Sequence, residues 1–546
     1  MSSTSTAPQL DAVVIGAGFS GLYLLHKLRN EMGLSVRVFE AGSDIGGTWF
    51  WNRYPGARCD SESYVYCYSF DEKMWQEWEW SERYPQQAEV LTYFDHVAER
   101  FDLRRDITFN SRVLAATLDE AANTWTVRTD TGEEITARYL ITGVGCLSAW
   151  NTPPFPGLET FTGQTYFTGL WPHEPVDLTG KRVGLIGTGA SGVQTMPRIA
   201  EVAADLTVFQ RTPNYIIPAR HGKVPPELTA ERKRDFAGVW ERTRNGAFGL
   251  PFQPEPKPLF ESTDAEVEAV LEKWWETGGL GFLLGSYLEP IFSVEANQRI
   301  SAFLDRKIRE KVNDPAVADL LTPKKLTYAV KRPPLDSGFY EAFNEPHVHL
   351  VDVGSNPIAA VTPDGLRLTD GTEYAVDVLV FATGFDATTG TLNRIDIRGR
   401  EGQLLREKWA GGPRTYLGLM SAGYPNLFMI TGPQSPGVLS NMPVSIEQHV
   451  EFVSAIIGTA AERGAEIVEA APEAEDAWVV HNEEAANATL FPLADTTYTG
   501  ANIAGKVRAF LPNIDTVPGY RARCEEVAAN GYEGFVFTPA SATAPA

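Results

Sequence analysis

Two glycine-rich turns with the same spacing occur in this chain of 546 residues. They occupy residues 16–21 and 187–192, and each follows a β-branched apolar run that predicts a buried parallel strand. The glycines let the backbone approach a pyrophosphate, whose charge is stabilised by the amides at the N-terminus of the next helix. The sequence therefore predicts two dinucleotide sites, the first with Gly16, Gly18, Phe19, Ser20 and Gly21, the second with Gly187, Thr188, Gly189, Ser191 and Gly192.

The residue that ends the next strand indicates which nucleotide each turn binds. Glu40 ends the strand after the first turn, and its carboxylate can accept hydrogen bonds from ribose hydroxyls, which favours FAD. Arg211 ends the matching strand after the second turn, with Thr212 beside it, and a guanidinium fits the 2′-phosphate of NADP. The alternative for Arg211 is an ordinary solvated surface arginine. The expected cofactors are FAD and NADPH.

Composition limits the classes of partner and site. The formal net charge of −23 makes nucleic acid and anionic membrane surfaces unfavourable partners. The four cysteines are scattered without close pairs, which argues against a disulfide framework, a metal site and a flavin disulfide reductase. No apolar run approaches the roughly 20 residues that span a bilayer. Since the N-terminal residues lack the cationic and apolar regions of a signal peptide, we expect a cytoplasmic protein.

The expected fold is α/β, with two Rossmann-like dinucleotide-binding domains, for FAD and for NADP, and a helical insertion. The insertion is indicated by helical periodicity with many charges between about residues 225 and 325. Sheet signals return afterwards and complete the second unit. The expected boundaries are 1–150 for the first part of the FAD domain, 151–225 for the linker and first part of the NADP domain, 226–330 for the insertion, 331–388 for the second part of the NADP domain, and 389–546 for the second part of the FAD domain.

Six further motifs, taken in order, carry a family resemblance over nearly the whole chain. They lie at residues 46–49, 52–56, 59–63, 331–333, 381–386 and 412–418. Each alone has an ordinary structural explanation, such as a turn or a helix cap. Together they resemble the type I Baeyer–Villiger monooxygenases, class B flavoprotein monooxygenases such as the phenylacetone and cyclohexanone enzymes.

The resemblance implies an activity. NADPH would reduce FAD, and a flavin peroxide formed with dioxygen would insert one oxygen atom next to the carbonyl of a small uncharged ketone, giving an ester or lactone. Arg332 is then the catalytic cation, Asp60 is the carboxylate that pairs with it, and Lys331 joins Arg211 at the 2′-phosphate. A salt bridge that holds the helical insertion to the core is the alternative for Arg332. The resemblance further assigns Gly47, Thr48, Trp49, Asp60 and Tyr66 to cofactor binding, and Ser435, Val438, Leu439 and Met442 to the substrate pocket.

Two positions depart from the family pattern. In the fingerprint at residues 161–172, Phe167 stands where the family has histidine, and Thr497 stands where a tryptophan is expected before Tyr498. We expect both positions in the linker and loop regions that handle nicotinamide binding. A histidine at 167 could hold the linker by a hydrogen bond, whereas phenylalanine can only pack. The departures keep open an uncoupled NADPH oxidase, beside a nitrogen- or sulfur-oxygenating enzyme of the same fold and a non-catalytic nucleotide-binding paralogue.

Overall fold

Two sheets built largely from parallel strands form the frame of the protein. The structure is a computed structural model, and it describes residues 8–539. The strands are β1 (Leu10–Ile15), β2 (Val36–Phe39), β3 (Ile107–Thr108), β4 (Val113–Asp119), β5 (Thr124–Thr129), β6 (Glu134–Thr142), β7 (Gln164–Phe167), β8 (Arg182–Ile186), β9 (Asp205–Gln210), β10 (Ile217–Pro218), β11 (Leu335–Asp336), β12 (Val348–Asp352), β13 (Ile358–Thr362), β14 (Gly365–Leu368), β15 (Glu373–Ala375), β16 (Val378–Phe381), β17 (Asp396–Arg398), β18 (Leu427–Met429), β19 (Ala465–Ala470) and β20 (Phe535–Pro539).

The helices cover the sheets and fill the segment between β10 and β11. They are α1 (Phe19–Leu25), α2 (Thr48–Trp51), α3 (Glu72–Glu77), α4 (Gln87–Arg100), α5 (Ala190–Ala200), α6 (Pro226–Arg234), α7 (Phe236–Asn245), α8 (Asp264–Thr277), α9 (Gly281–Leu284), α10 (Val294–Lys311), α11 (Pro315–Leu321), α12 (Phe339–Ala342), α13 (Gly390–Arg394), α14 (Leu405–Lys408), α15 (Met442–Glu462), α16 (Pro472–Asn487) and α17 (Val517–Ala529). Helices α6 to α11 agree with the helical periodicity expected between about residues 225 and 325.

The first sheet carries the first glycine-rich turn. Its strand order is β17-β4-β5-β6-β1-β2-β3, and β18 also pairs with β6. Strand β1 lies between β6 and β2, parallel to both, with Val14 opposite Val38 and Ile141. These side chains are fully buried, as expected for a strand covered on both faces. The turn after β1 and the carboxylate after β2 therefore reach the same edge of the sheet.

The second sheet is entirely parallel and carries the second turn. Its order is β12-β9-β8-β16-β7, with the turn between β8 and α5. The fingerprint segment, expected to be a linker, instead supplies the edge strand β7, with Phe167 opposite Phe381. Later in the chain, β17 and β18 add to the first sheet, so the chain returns to it after the second sheet is complete. The residue-by-residue domain boundaries stay predictions.

Several features of residues 8–539 bear on the expected class of site. All four cysteines are buried and free. Within this range no His, Cys, Asp and Glu side chains gather into a group of three that could hold a metal ion. None of its helices combines the length and apolar character needed to cross a membrane.

Candidate active site

A cavity of about 590 Å³ extends from the first glycine-rich turn to the second. Its size lies within the range of cofactor and ligand sites. Residues that the sequence assigned to cofactors, catalysis or substrate line it from both sheets: Gly16, Gly18, Phe19, Ser20, Glu40, Gly47, Thr48, Trp49, Asp60, Tyr66, Gly189, Ser191, Arg332, Val438 and Met442. Two dinucleotides bound by the two turns would thus meet in one cavity.

The first turn is so tight that only glycine fits at its end. A Cβ at Gly21 would lie 1.8 Å from the carbonyl oxygen of Gly16, which itself has a φ of +100°. Gly18 and Gly47 also approach each other closely, since a Cβ on Gly47 would lie 3.0 Å from the Cα of Gly18. The backbone on this side of the cavity therefore has no room for side chains, as a pyrophosphate cradle requires.

Glu40 lies where the sequence predicted it and also braces the turn. Its Oε2 accepts a hydrogen bond from the amide of Ala17 at 2.7 Å, and its Oε1 accepts one from Gly42 at 2.7 Å. Burial raises the pKa of Glu40, and these two amides act in the opposite direction. Because each carboxylate oxygen can accept more than one hydrogen bond, both oxygens keep capacity for ribose hydroxyls.

The second turn repeats the geometry of the first. A Cβ at Gly192 would lie 2.2 Å from the carbonyl oxygen of Gly187, whose φ is +107°. The buried hydroxyl of Thr188 points back to Gln210 at 3.5 Å. Of this turn, Gly189 and Ser191 line the cavity, while Gly187, Thr188 and Gly192 shape the backbone behind them.

Positive side chains gather beside the second turn. Arg211 and Thr212 are exposed directly after β9. Burial lowers the pKa of Lys331, and the positive charge of Arg211 acts in the same direction although 120 positions separate the two residues in the sequence. Asp495 opposes this effect. Such a pair attracts a phosphate dianion.

The structure brings Asp60 and Arg332 into direct contact. Nη2 of Arg332 donates to Oδ1 of Asp60 at 2.9 Å, and both side chains line the large cavity. Burial disfavours the charge of Arg332, but the attraction of Asp60, with smaller contributions from Tyr498, Cys59 and Tyr66, raises its pKa overall. The Nε of Arg332 is buried and has no hydrogen-bond partner within residues 8–539. A permanently charged donor is thus held in the cavity with unused capacity.

Trp49 and Tyr66 form an aromatic wall beside the first turn. The indole Nε1 of Trp49 donates to the hydroxyl of Tyr66 at 3.1 Å, and the ring of Phe19 meets that of Tyr66 edge to face at 5.3 Å. Burial raises the pKa of Tyr66 well above its ordinary value, so this phenol stays neutral. The wall offers a flat ring system an apolar surface with one hydroxyl.

A smaller, largely apolar cavity of about 40 Å³ also has Arg332 in its wall. Leu439 and Tyr498 line it together with side chains of the helical segment and its neighbours: Phe248, Leu250, Leu280, Leu283, Leu284, Ile291, Ala329 and Phe491. Arg332 lines both cavities and therefore lies at their junction. The sequence missed these residues, because most of them lie in loops and single helical turns, where an apolar side chain gives no sign of whether it faces a core or a pocket.

The expected substrate-lining residues separate into two groups. Val438 and Met442 line the large cavity and Leu439 lines the small one. Ser435 lines neither and is fully buried, with its hydroxyl donated to the carbonyl of Gly432 at 2.7 Å. The structure therefore does not bring Ser435 to the site, because the backbone at Gly432 turns its side chain inward.

Gln194 is a cavity residue that the sequence did not single out. It lies on α5, and its Oε1 accepts from the hydroxyl of Tyr54 at 2.8 Å while its Nε2 donates to the carbonyl of Arg58 at 3.0 Å. These bonds tie the helix after the second turn to the segment that leads into Asp60. Nothing local to Gln194 signals this role, since its partners are more than 130 positions away.

The two positions that depart from the fingerprint pattern have different surroundings. The ring of Phe167 stacks on that of Phe381, with centroids 4.9 Å apart, and lines neither cavity. Thr497 does line the large cavity, next to Tyr498. Its loop is held to the segment that follows β16 by Asn502, whose Nδ2 donates to the carbonyl of Phe385 at 2.7 Å. The packing interpretation of Phe167 is thus the one that the contacts favour.

We expect Phe167→His to lower stability without improving cofactor use. An imidazole in this apolar cluster would lose the stacking with Phe381 and bury a polar group, at a cost of about 1 to 3 kcal/mol. Thermal unfolding measures this loss, with Phe167→Leu as a matched apolar control. A rise in product formed per NADPH, or a lower Michaelis constant for NADPH, would show instead that the histidine is needed for cofactor handling.

Comparison with known proteins agrees with this geometry. Residues 10–227 match the family described as flavin-binding monooxygenase-like. A Baeyer–Villiger monooxygenase from Pseudooceanicola batsensis is 44% identical over 96% of each chain, and the phenazine N-monooxygenase PhzNO1 from Lysobacter antibioticus is 43% identical over 96% of each chain. The crystal structure of cyclohexanone monooxygenase from Rhodococcus sp. Phi1 bound to NADP+ superposes with a TM-score of 0.95, at 41% identity, over 98% of this chain and 100% of that one.

Proposed function

This chain belongs to the Baeyer–Villiger group of flavin-binding monooxygenases, and from that premise we propose which of its residues act and on what class of ketone. It is an NADPH-dependent flavin monooxygenase with FAD and NADP as cofactors. We propose a small uncharged ketone as the substrate, with dioxygen as co-substrate and an ester or lactone as product.

The cavity fits both cofactors. The first turn, Glu40, Trp49 and Tyr66 would hold FAD, and the second turn with Arg211 and Lys331 would hold NADP. Bound there, NADPH supplies hydride, and the reduced flavin supplies the electrons that activate dioxygen. The backbone of both turns leaves no room for side chains, and the Nε of Arg332 has donor capacity to spare; both observations suit bound anionic or carbonyl groups.

Arg332 supplies fixed positive charge where oxygen insertion develops negative charge on oxygen. A preorganised cation in a site sheltered from water stabilises such charge without reorganisation. Asp60 orients the guanidinium through the 2.9 Å hydrogen bond and acts to raise its pKa. Asp60 is therefore a positioning residue, and the remaining donors of Arg332 are free for the carbonyl oxygen of a ketone.

The small cavity beside Arg332 supports an apolar substrate. Its walls are mainly leucine, isoleucine and phenylalanine side chains, so a charged substrate would lose its hydration there without compensation. A ketone whose alkyl or ring portion enters between Leu439 and the helical segment would present its carbonyl at the junction where Arg332 lies. Leu439, Val438 and Met442 then act on substrate shape, whereas Ser435 does not.

The observation that carries the proposal is the Asp60–Arg332 pair at the junction of the two cavities. It is tested with the purified FAD protein and a panel of cyclic and aryl-alkyl ketones, measuring NADPH consumed against ester formed. One ester per NADPH confirms the proposal. Oxygenated product from phenazine and none from any ketone would favour nitrogen oxygenation, and hydrogen peroxide without oxygenated product would indicate an NADPH oxidase.

Replacement of Arg211 by alanine should reduce the preference for NADPH over NADH. Loss of a charge-assisted contact to the 2′-phosphate costs about 1.5 to 3 kcal/mol, which is roughly ten- to a hundredfold in NADPH efficiency. Steady-state kinetics with both nucleotides measure the ratio. Arg220→Ala, which removes another exposed arginine that pairs with Glu276, is the matched control. An unchanged ratio in Arg211→Ala would remove Arg211 from the site.

A further inference from the structure

Thr168, the residue after Phe167, contacts the second glycine-rich turn directly. Its Oγ1 lies 2.9 Å from the Oγ of Ser191, and its side chain is almost completely buried, with 1% exposed. Its amide donates to the carbonyl of Phe381 at 3.0 Å, which fixes the backbone at the end of β7. The side chains of Phe167 and Thr168 thus point to opposite sides of the chain. The Phe167 ring packs on Phe381, and the Thr168 hydroxyl contacts the second turn.

Ser191 links this contact to the cavity. It is the second residue of α5 and lines the large cavity, whereas Thr168 lies behind it. A hydroxyl has one proton to donate and two lone pairs to accept with. The single proton of Thr168 has two acceptors within reach, the hydroxyl of Ser191 at 2.9 Å and the carbonyl of Phe381 at 3.4 Å. When Thr168 donates to Ser191, the proton of Ser191 is free to be donated into the cavity, and the accepted bond makes that proton a better donor.

The end of β16 places both residues. The carbonyl of Phe381 accepts from the amide of Thr168, and the carbonyl of the next residue, Ala382, lies 2.5 Å from where a Cβ on Gly187 would be. Two consecutive residues at the end of β16 therefore contact both segments: Phe381 contacts the fingerprint segment, and Ala382 contacts the glycine-rich turn. The end of β16 therefore couples the position of β7 to the position of the second turn.

We propose that Thr168 is a positioning residue for NADP, which orients the Ser191 hydroxyl so that it donates to a pyrophosphate oxygen. The fingerprint segment then acts on the dinucleotide through position 168, and position 167 serves packing. This inference rests on the assignment of the second turn to NADP. It adds a residue outside the glycine-rich turn to the NADP site.

The test measures NADP+ affinity by calorimetry on the FAD-loaded protein. Thr168→Val removes the hydroxyl and keeps the shape, and we expect its dissociation constant to rise about three- to tenfold. Thr168→Ser keeps the hydroxyl and should bind within about twofold of the parent. The Michaelis constant for NADPH should rise in Thr168→Val, with kcat at saturating NADPH unchanged, because the contact serves binding and not the chemical step.

A double-mutant cycle separates this role from a general structural one. Ser191→Ala should weaken NADP+ binding as Thr168→Val does, and the double variant should be no weaker than either single variant, because the two hydroxyls act as one unit. Equal affinity of Thr168→Val and the parent, or additive losses, would overturn the inference. Absence of NADP+ binding by the parent protein would overturn the NADP assignment itself and the inference with it. If Thr168→Val does not fold, Ser191→Ala and Thr168→Ser still test the inference. Equal NADP+ affinity of Ser191→Ala and the parent would contradict a role of the Ser191 hydroxyl in NADP binding.

Discussion

Arg332→Ala should still bind FAD and be reduced by NADPH, yet form almost no ester. Removal of one electrostatic stabiliser typically costs about 100- to 1000-fold in rate, and Arg332 is the cation that the structure holds at the junction of the two cavities. Because we assign Arg332 to oxygen insertion and not to hydride transfer, the reduction step should lose far less. Stopped-flow reduction of the flavin and chromatographic assay of ester measure the two steps separately.

The control for Arg332→Ala is Arg332→Lys, which keeps a positive charge and loses the planar fork. Its ester formation should lie between those of the parent and the alanine variant, because a lysine cannot make the same directed contact to Asp60. Flavin content and melting temperature show whether either variant is misfolded. If Arg332→Ala keeps more than roughly a tenth of the ketone turnover, the loss is far below that expected for an electrostatic stabiliser and the role belongs to another residue.

Alanine at the last glycine of each turn should weaken or remove the binding of one cofactor and leave the other bound. A Cβ would lie 1.8 Å from the Gly16 carbonyl oxygen in Gly21→Ala and 2.2 Å from the Gly187 carbonyl oxygen in Gly192→Ala. Both distances are far below contact distance, and backbone atoms cannot rotate away as a flexible side chain can. We expect Gly21→Ala to purify without flavin, and Gly192→Ala to keep FAD but to bind NADP+ about ten- to a hundredfold more weakly, since overpacking of this kind costs about 1 to 3 kcal/mol.

Absorbance of the bound flavin measures the FAD content of each variant, and calorimetry measures its affinity for NADP+. Gly222→Ala is the matched control, because a Cβ there meets no atom within 4 Å and needs no positive φ. That variant should match the parent in both measurements. Flavin loss in Gly192→Ala with NADP+ binding intact would reverse the assignment of the two turns.

The sequence by itself determined the two glycine-rich turns and the α/β class, because both depend on local backbone geometry. A glycine-rich turn between an apolar strand and a helix has its geometry set by its own residues, so both turns and the α/β class could be predicted without tertiary information. The positions of Glu40 and Arg211 beside the turns follow for the same reason, since each directly follows the strand next to its turn; their roles at the two nucleotides stay predictions. The family motifs extended this to Asp60 and Arg332, and the 2.9 Å contact between them agrees.

Only the tertiary structure decided which side chains share a space. Asp60 and Arg332 are 272 positions apart, and the leucines that line the small cavity with Leu439 lie in loops and in the four-residue helix α9, where no local pattern indicates what they cover. Packing turned Ser435 away from the site, placed the Phe167 ring on Phe381 and directed Thr168 to the second turn. These outcomes depend on contacts between segments distant in sequence, and such contacts are set by how the elements pack, because no residue type or local spacing specifies its partner across the fold.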